Sequence, residues 1–166
     1  LAVDAEDNQA VEFWIKADKQ QGEAQLLDMG KNGLWMDADG LLKFTSDDNT
    51  YDAGTSVLAD NEWHHIAINV LRSGNTSVYV DGQRALSTSS RNIATFNDDV
   101  LAIGARCELD STHSHIVSSD RHLTGLVDEV RLWNATLDAS SLSNNRKLRL
   151  TGKETGLVAY FPFEIK

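Results

Sequence analysis

The chain has one cysteine and one proline in 166 residues. A lone thiol, Cys107, closes no internal disulfide, so the core rather than covalent staples must hold the fold. With a single proline, Pro162, nothing reads as a proline-rich linker or recognition tract. No apolar run approaches the roughly 20 residues that a membrane-spanning helix needs. Cations are scarce too: 15 Lys and Arg stand against 25 Asp and Glu, a formal charge of −10. Nucleic acid and anionic membrane would both be repelled, which disfavours them as partners. The same charge favours cations, calcium above all, although an acidic surface also serves solubility alone.

What is present is ordinary for a soluble globular domain, with 41% hydrophobic and 24% charged residues. The length suits one core, so residues 1–166 are expected to form a single domain that buries about 70% of its unfolded surface. The sequence starts at Leu1, and no leader peptide is expected in it. It is therefore expected to be a processed or excised piece of a larger protein, with that protein's other domains as neighbours.

Long helical periodicity is missing. Short alternating or β-branched segments are punctuated by Gly, Asn, Asp and Ser, the pattern of an all-β sandwich or barrel. Strands are expected at 10–17, 24–29, 34–37, 41–45, 55–58, 62–71, 77–81, 83–86, 100–104, 125–133 and 156–163. Ser73-Gly74-Asn75, Asp81-Gly82 and Asp37-Ala38-Asp39-Gly40 supply residues that tolerate positive φ and read as hairpin turns. One short helix is expected from Ala139 to about Lys147, N-capped by Asp138 and ending in basic residues.

Alternation predicts which side chains point inward. In 62–71, His64, Ile66, Ile68 and Val70 form the expected core face, making His64 a hydrogen-bonded core histidine. Trp63, His65, Ala67 and Asn69 form the other face. In 127–133, Asp128 lies with Val130 and Leu132, opposite Glu129, Arg131 and Trp133. Asp128 is expected to hydrogen-bond backbone at a strand end.

Six segments recur in a familiar order: VEFWIKA (11–17), EWHHIAI (62–68), VYVDGQ (78–83), LAIGA (101–105), GLVDEVRLWNATL (125–137) and GLVAYFPFE (156–164). Together they resemble the laminin-G/concanavalin A-like jelly rolls, the lectin and glucanase superfamily that includes pentraxins. The resemblance implies a two-sheet antiparallel β-sandwich with the short helix packed at one end. Relatives usually begin with an aromatic-Asp-Gly strand, where this chain has LAVDAEDNQ, so its N-terminal edge strand is expected to be incomplete. The fold carries lectins, adhesion modules and some glycanases, so function has to be argued from a site.

Residues 106–123, RCELDSTHSHIVSSDRHL, separate two strands by 18 residues, and loops this long are often functional. Here the pentraxin resemblance implies calcium. Glu108-Leu109-Asp110 matches the family's Glu-x-Asp, and Asp48-Asn49 matches its Asp-Asn pair. Calcium takes six to eight oxygens, so Asp48, Asn49, Glu108 and Asp110 are the expected ligands, with Asp47 and Asp120 as additions. His113, His115 and His122 lack the accompanying pattern of a zinc site and read as loop histidines.

Sugars stack on exposed aromatic rings. Trp35, beside the Asn32-Gly33 turn, and Tyr51, in the acidic DDNTYDAG stretch, are the expected ligand contacts. Trp14, Trp63 and Trp133 fall at positions that pack structurally in the family. Glucanases of the superfamily carry Glu-x-Asp-x-Glu on one strand, and retaining chemistry needs carboxyls about 5–5.5 Å apart. Asp128 and Glu129 are adjacent and face opposite ways, and no nucleophile elbow or phosphate-binding loop is present. The expected function is a non-catalytic module that binds a glycan or an extracellular protein, with calcium as the candidate cofactor. An extracellular, surface or periplasmic setting is expected. A structural spacer is the alternative, and a glycoside hydrolase comes third.

Overall fold

A computed structural model describes residues 8–92, 101–109, 115–118 and 120–163. The fold is the all-β jelly-roll class, with two large antiparallel sheets and one short α-helix. Contacts divide the chain into two compact units, one around each large sheet.

In the first unit, β2 (Ala24–Met29), β3 (Asn32–Met36), β4 (Leu41–Ser46), β5 (Asn49–Val57) and β9 (Ala102–Ile103) pair in the order β5-β4-β3-β2-β9. Strict alternation explains β4: Leu42, Phe44 and Ser46 are buried, while Leu41, Lys43 and Thr45 face the other way. β5 begins six residues earlier than its sequence suggests, at Asn49 rather than Thr55. Asn, Asp and Gly disfavour strands, yet pairing with β4 recruits them, an override of propensity by context. The β4–β5 turn is only Asp47-Asp48, with Asp47 at φ 48°. The stretch 106–123 is not a plain loop either, since β10 (Cys107–Leu109) and β11 (His115–Val117) pair within it.

The second sheet has the order β13-β12-β1-β6-β7-β8. It is built from β1 (Gln9–Ala17), β6 (Trp63–Val70), β7 (Asn75–Val80), β8 (Gln83–Ser89), β12 (Gly125–Trp133) and β13 (Leu157–Phe161). Asp81 and Gly82 turn β7 into β8 with φ values of 52° and 81°, the conformation for which that dipeptide is suited.

Both faces of β6 are buried. Ile66, Ile68 and Val70 lie on one face, with His65, Ala67 and Asn69 equally covered on the other. This corrects the assignment of the core histidine. His65 is 1% exposed, whereas His64 is half-buried and its Nδ1 meets Asp81 Oδ2 at 2.8 Å.

The cover on that second face is α1 (Ala139–Asn145) and the segment after it. Leu142 packs on Ala67 and Tyr79, with Leu137 alongside. Such a buried leucine contributes about 1.5–3 kcal/mol. Asn69 pins the helix entrance: its amide donates to the Leu137 carbonyl and its oxygen accepts from Leu137 N–H at 3.0 Å. Asp138 caps the helix as expected, accepting from Ser141 N–H at 2.7 Å.

The helix stops at Asn145, without the basic last turn that the sequence suggested. Side chains of the sheet, buried Arg131 and half-buried Trp14, take the carbonyls that would have continued it. Arg131 donates to Asn145 O (3.0 Å) and Leu148 O (2.6 Å), and Trp14 Nε1 donates to Arg146 O (2.9 Å).

Candidate functional site

Beneath that latch lies a buried ionic cluster. Glu12 is fully buried and receives Arg131 at 3.4 Å, His65 Nε2 at 3.0 Å and Trp133 Nε1 at 3.2 Å. Arg131 also pairs with Glu129 at 2.6 Å, and the Tyr160 hydroxyl donates to Glu129 at 2.8 Å. Burial, and then the neighbouring Glu129 carboxylate, push the Tyr160 hydroxyl up. Asp128 accepts from Glu129 N–H at 2.8 Å, the backbone role expected of it. Glu12, His65 and Arg131 are sealed from solvent, with Glu12 bonded to both of the others, which suits a scaffold rather than a binding surface.

The five-stranded sheet is different. Register places Gln25, Trp35, Lys43 and Asp52 side by side across β2, β3, β4 and β5. They share the face opposite to Leu34 and Phe44. At about 4.8 Å per strand, the row spans about 14 Å. Trp35 is half-buried: its Nε1 donates to Thr45 Oγ1 at 2.8 Å, and the Arg121 guanidinium lies 5.3 Å from its ring centroid. Arg121 adopts φ 54° and pairs with Glu23 at 2.5 Å. A residue with a Cβ rarely takes that backbone conformation, and it is the kind of strain that functional sites retain.

Lys43 bridges Asp52 (2.7 Å) and Asp37 (3.2 Å), and hydrogen bonds to Asp52 and then Asp37 hold its ammonium above the usual lysine range. Burial alone would raise the Asp37 carboxyl. The Leu41 N–H, Lys43 and the Asp39 N–H outweigh it and hold the carboxyl low. Gly33 gives the Gln25 amide its room, since a Cβ there would come within 2.7 Å of Gln25 Nε2.

Beside this row opens a cleft of about 520 Å³, lined in part by Gln20, Glu23, Asp120, Arg121 and His122. Gln20 ties its two rims together, donating to Thr124 O (2.8 Å) and accepting from Thr124 N–H (2.9 Å). A hydrogen bond from the Ser118 hydroxyl, above all, keeps Asp120 ionised at low pH. His122 Nε2 donates to the Ser118 carbonyl at 2.5 Å.

Of the two aromatic residues expected at a binding surface, Trp35 lies at the centre of this row. Tyr51 does not join it. It pairs across from Phe44, stacks on that buried ring at 6.0 Å and so lies on the opposite face of the sheet. Asp48 and Asn49 sit exposed at the tip of the β4–β5 hairpin, and Glu108 on β10 pairs with Arg106 at 3.6 Å. Asp110 lies outside the described residues, as do His113 and Ser114. Among the described residues no three His, Cys, Asp or Glu side chains come together as a metal shell.

Sequence reasoning missed Gln25, Lys43 and Arg121. Alternation in LLKFTS points Lys43 outward, but only strand pairing brings it beside Trp35. Arg121 carries no local signal at all.

None of the curated proteins matches the chain in sequence. Solved structures do match in fold. A candidate carbohydrate-binding protein from Bacteroides ovatus aligns over 95% of this chain, at TM-score 0.74 and 19% identity. The chain spans 45% of that protein's length. Domain 4 of the extracellular arabinanase AbnA from Geobacillus stearothermophilus, solved with arabinotriose, aligns over 83% of this chain and 66% of its own, at TM-score 0.59 and 19% identity. A heptameric pentraxin from Limulus polyphemus aligns over 87% and 83%, at TM-score 0.60 and 12% identity. At such identities the likeness is one of fold. Residues 2–143 match a family profile directly, and on that match the chain belongs to the concanavalin A-like lectin/glucanases superfamily.

Proposed function

We propose that the protein is a non-catalytic carbohydrate-binding module whose ligand lies across the Trp35–Lys43–Asp52 row, with buried Gln25 as its support. The observation that carries this reading is Trp35, set in a line of polar side chains and backed by Arg121. Sugar rings need an aromatic surface for their C–H faces and charged or amide groups for their hydroxyls, and the row supplies both. The accessible part of the row, Trp35 to Asp52, spans about 10 Å and suits a short oligosaccharide better than one sugar. The arabinotriose held by the arabinanase domain and the assignment of the Bacteroides ovatus protein support the same ligand class.

The carboxylates that share the row's lysine are poor catalysts. Asp37 and Asp52 share Lys43, and Asp37 is held ionised, whereas a general acid requires a raised pKa. An extracellular or surface setting and a calcium requirement through Asp48, Asn49, Glu108 and Asp110 belong to the same proposal.

A glycan array tests it, followed by calorimetry of the strongest oligosaccharide on the protein and on Trp35→Ala. Binding that falls at least tenfold in the variant is expected. Absence of binding to every glycan would overturn the reading and leave a spacer, whereas binding indifferent to Trp35 would overturn this site. For calcium, millimolar additions should raise the melting temperature, and Asp48→Ala should abolish that rise.

A further inference from the structure

The six-stranded unit carries a second cleft, of about 560 Å³, that the glycan reading does not use. Its lining joins Trp63, Leu126, Leu148 and Phe163 to Arg146, Lys147 and Arg149. These four apolar side chains are 40%, 56%, 57% and 57% exposed. Single exposed leucines are commonplace, but four large apolar side chains lining one cleft mark an interaction surface. Trp63, expected from the sequence to pack structurally, is one of them.

The cleft's basic wall is built rather than loose. Arg146, Lys147 and Leu148 belong to the segment whose carbonyls Arg131 and Trp14 hold, so its side chains project from a fixed backbone. Ordering that segment in advance removes part of the entropy cost of binding. Of the carboxylates lining the cleft, Glu129 is already neutralised by Arg131, and Asp128 is turned to backbone. Arg146 reaches Asp81 only at 3.8 Å, and Lys147 has no ion pair among the described residues. Three cationic side chains thus line the cleft against two carboxylates, one of them paired with Arg131, on a chain whose formal charge is −10.

From this we infer a docking site for a protein segment that carries carboxylates beside leucine or aromatic anchors. An apolar floor with tryptophan and arginine at its edge has the composition of protein-interface hot spots. The charge selects the partner: most of this acidic protein repels an acidic segment, and this wall attracts one.

A random dodecapeptide library panned on the protein, with counter-selection on the charge-reversed Lys147→Glu/Arg149→Glu variant, tests the inference. Peptides bearing Asp or Glu together with Leu, Phe or Trp are expected. Their affinity should fall at least tenfold in that variant and in Trp63→Ala, while both variants keep the parent melting temperature and glycan binding. Three outcomes would overturn it: no peptide distinguishes parent from variant, the selected peptides are neutral or basic, or polygalacturonate binds with the same dependence on Lys147 and Arg149. The last would make the cleft a site for acidic polysaccharide.

Discussion

Two sheet faces of this protein carry polar side chains in alternate positions, and they are used in opposite ways. On the six-stranded sheet, Glu12, His65 and Arg131 are sealed beneath the chain's own helix and the latched segment after it. On the five-stranded sheet, Gln25, Trp35, Lys43 and Asp52 form a row flanked by a cleft, with Lys43 partly and Asp52 largely exposed. The lesson is that alternation locates a polar face but does not say whether that face is scaffold or site. What covers it decides. Charges are paired on both faces, Glu12 with Arg131 and Lys43 with Asp37 and Asp52. The first set is sealed under the chain's own cover, and the second reaches solvent.

The sharpest way to break this contrast is Arg131→Met, which strands the Glu12 carboxylate and releases the carbonyls of Asn145 and Leu148. Removing one partner of a buried ion pair costs about 3–5 kcal/mol, which urea unfolding would register. Glycan binding at folded concentrations should survive. Trp35→Ala should do the reverse: affinity falls at least tenfold, about 1.4 kcal/mol, with a smaller loss of stability than in Arg131→Met.

Loosening the cover more gently, Asp138→Ala removes the helix cap and should lower stability by less than Arg131→Met in the same unfolding experiment. Amide exchange should quicken in 139–145 and stay unchanged across β3 and β4.

The smallest effect concerns acid. The Thr151 N–H above all, joined by the Thr151 hydroxyl, outweighs burial and lowers the Glu154 carboxyl from 4.5 to about 2. A carboxyl lowered on folding contributes stability above its unfolded value, and that contribution is lost as pH falls from about 4.5 through about 2. Glu154→Gln should flatten the stability–pH curve in that window only. Because Glu154 and Thr151 lie in the segment before β13, glycan binding should show the same pH dependence in parent and variant.

Much of the fold was legible because its signals are local. The spacing of Leu42 and Phe44, the Asp81-Gly82 turn and the Asp138 cap each act within a few residues, so the sequence displays them directly. His64 and His65 exchanged roles for a nonlocal reason. Alternation gives two candidate faces, and in β6 both are buried, which only the packing of Leu142 and the pairing of His65 with Glu12 reveal. The candidate site divides the same way. Trp35 could be picked out from its turn and its ring chemistry. Tyr51 looked equivalent, but pairing with Phe44 turns it to the apolar face.

By itself, then, the sequence determined the strand-and-turn grammar, the superfamily and the acidic character, because propensity, alternation and charge are properties of short stretches. Tertiary structure decided which polar face is sealed and which is open. It also brought Arg131 to Glu12, 119 positions away, and laid Arg121 over Trp35. Those pairings depend on strand order and on the course of connecting segments, and no local residue pattern encodes them.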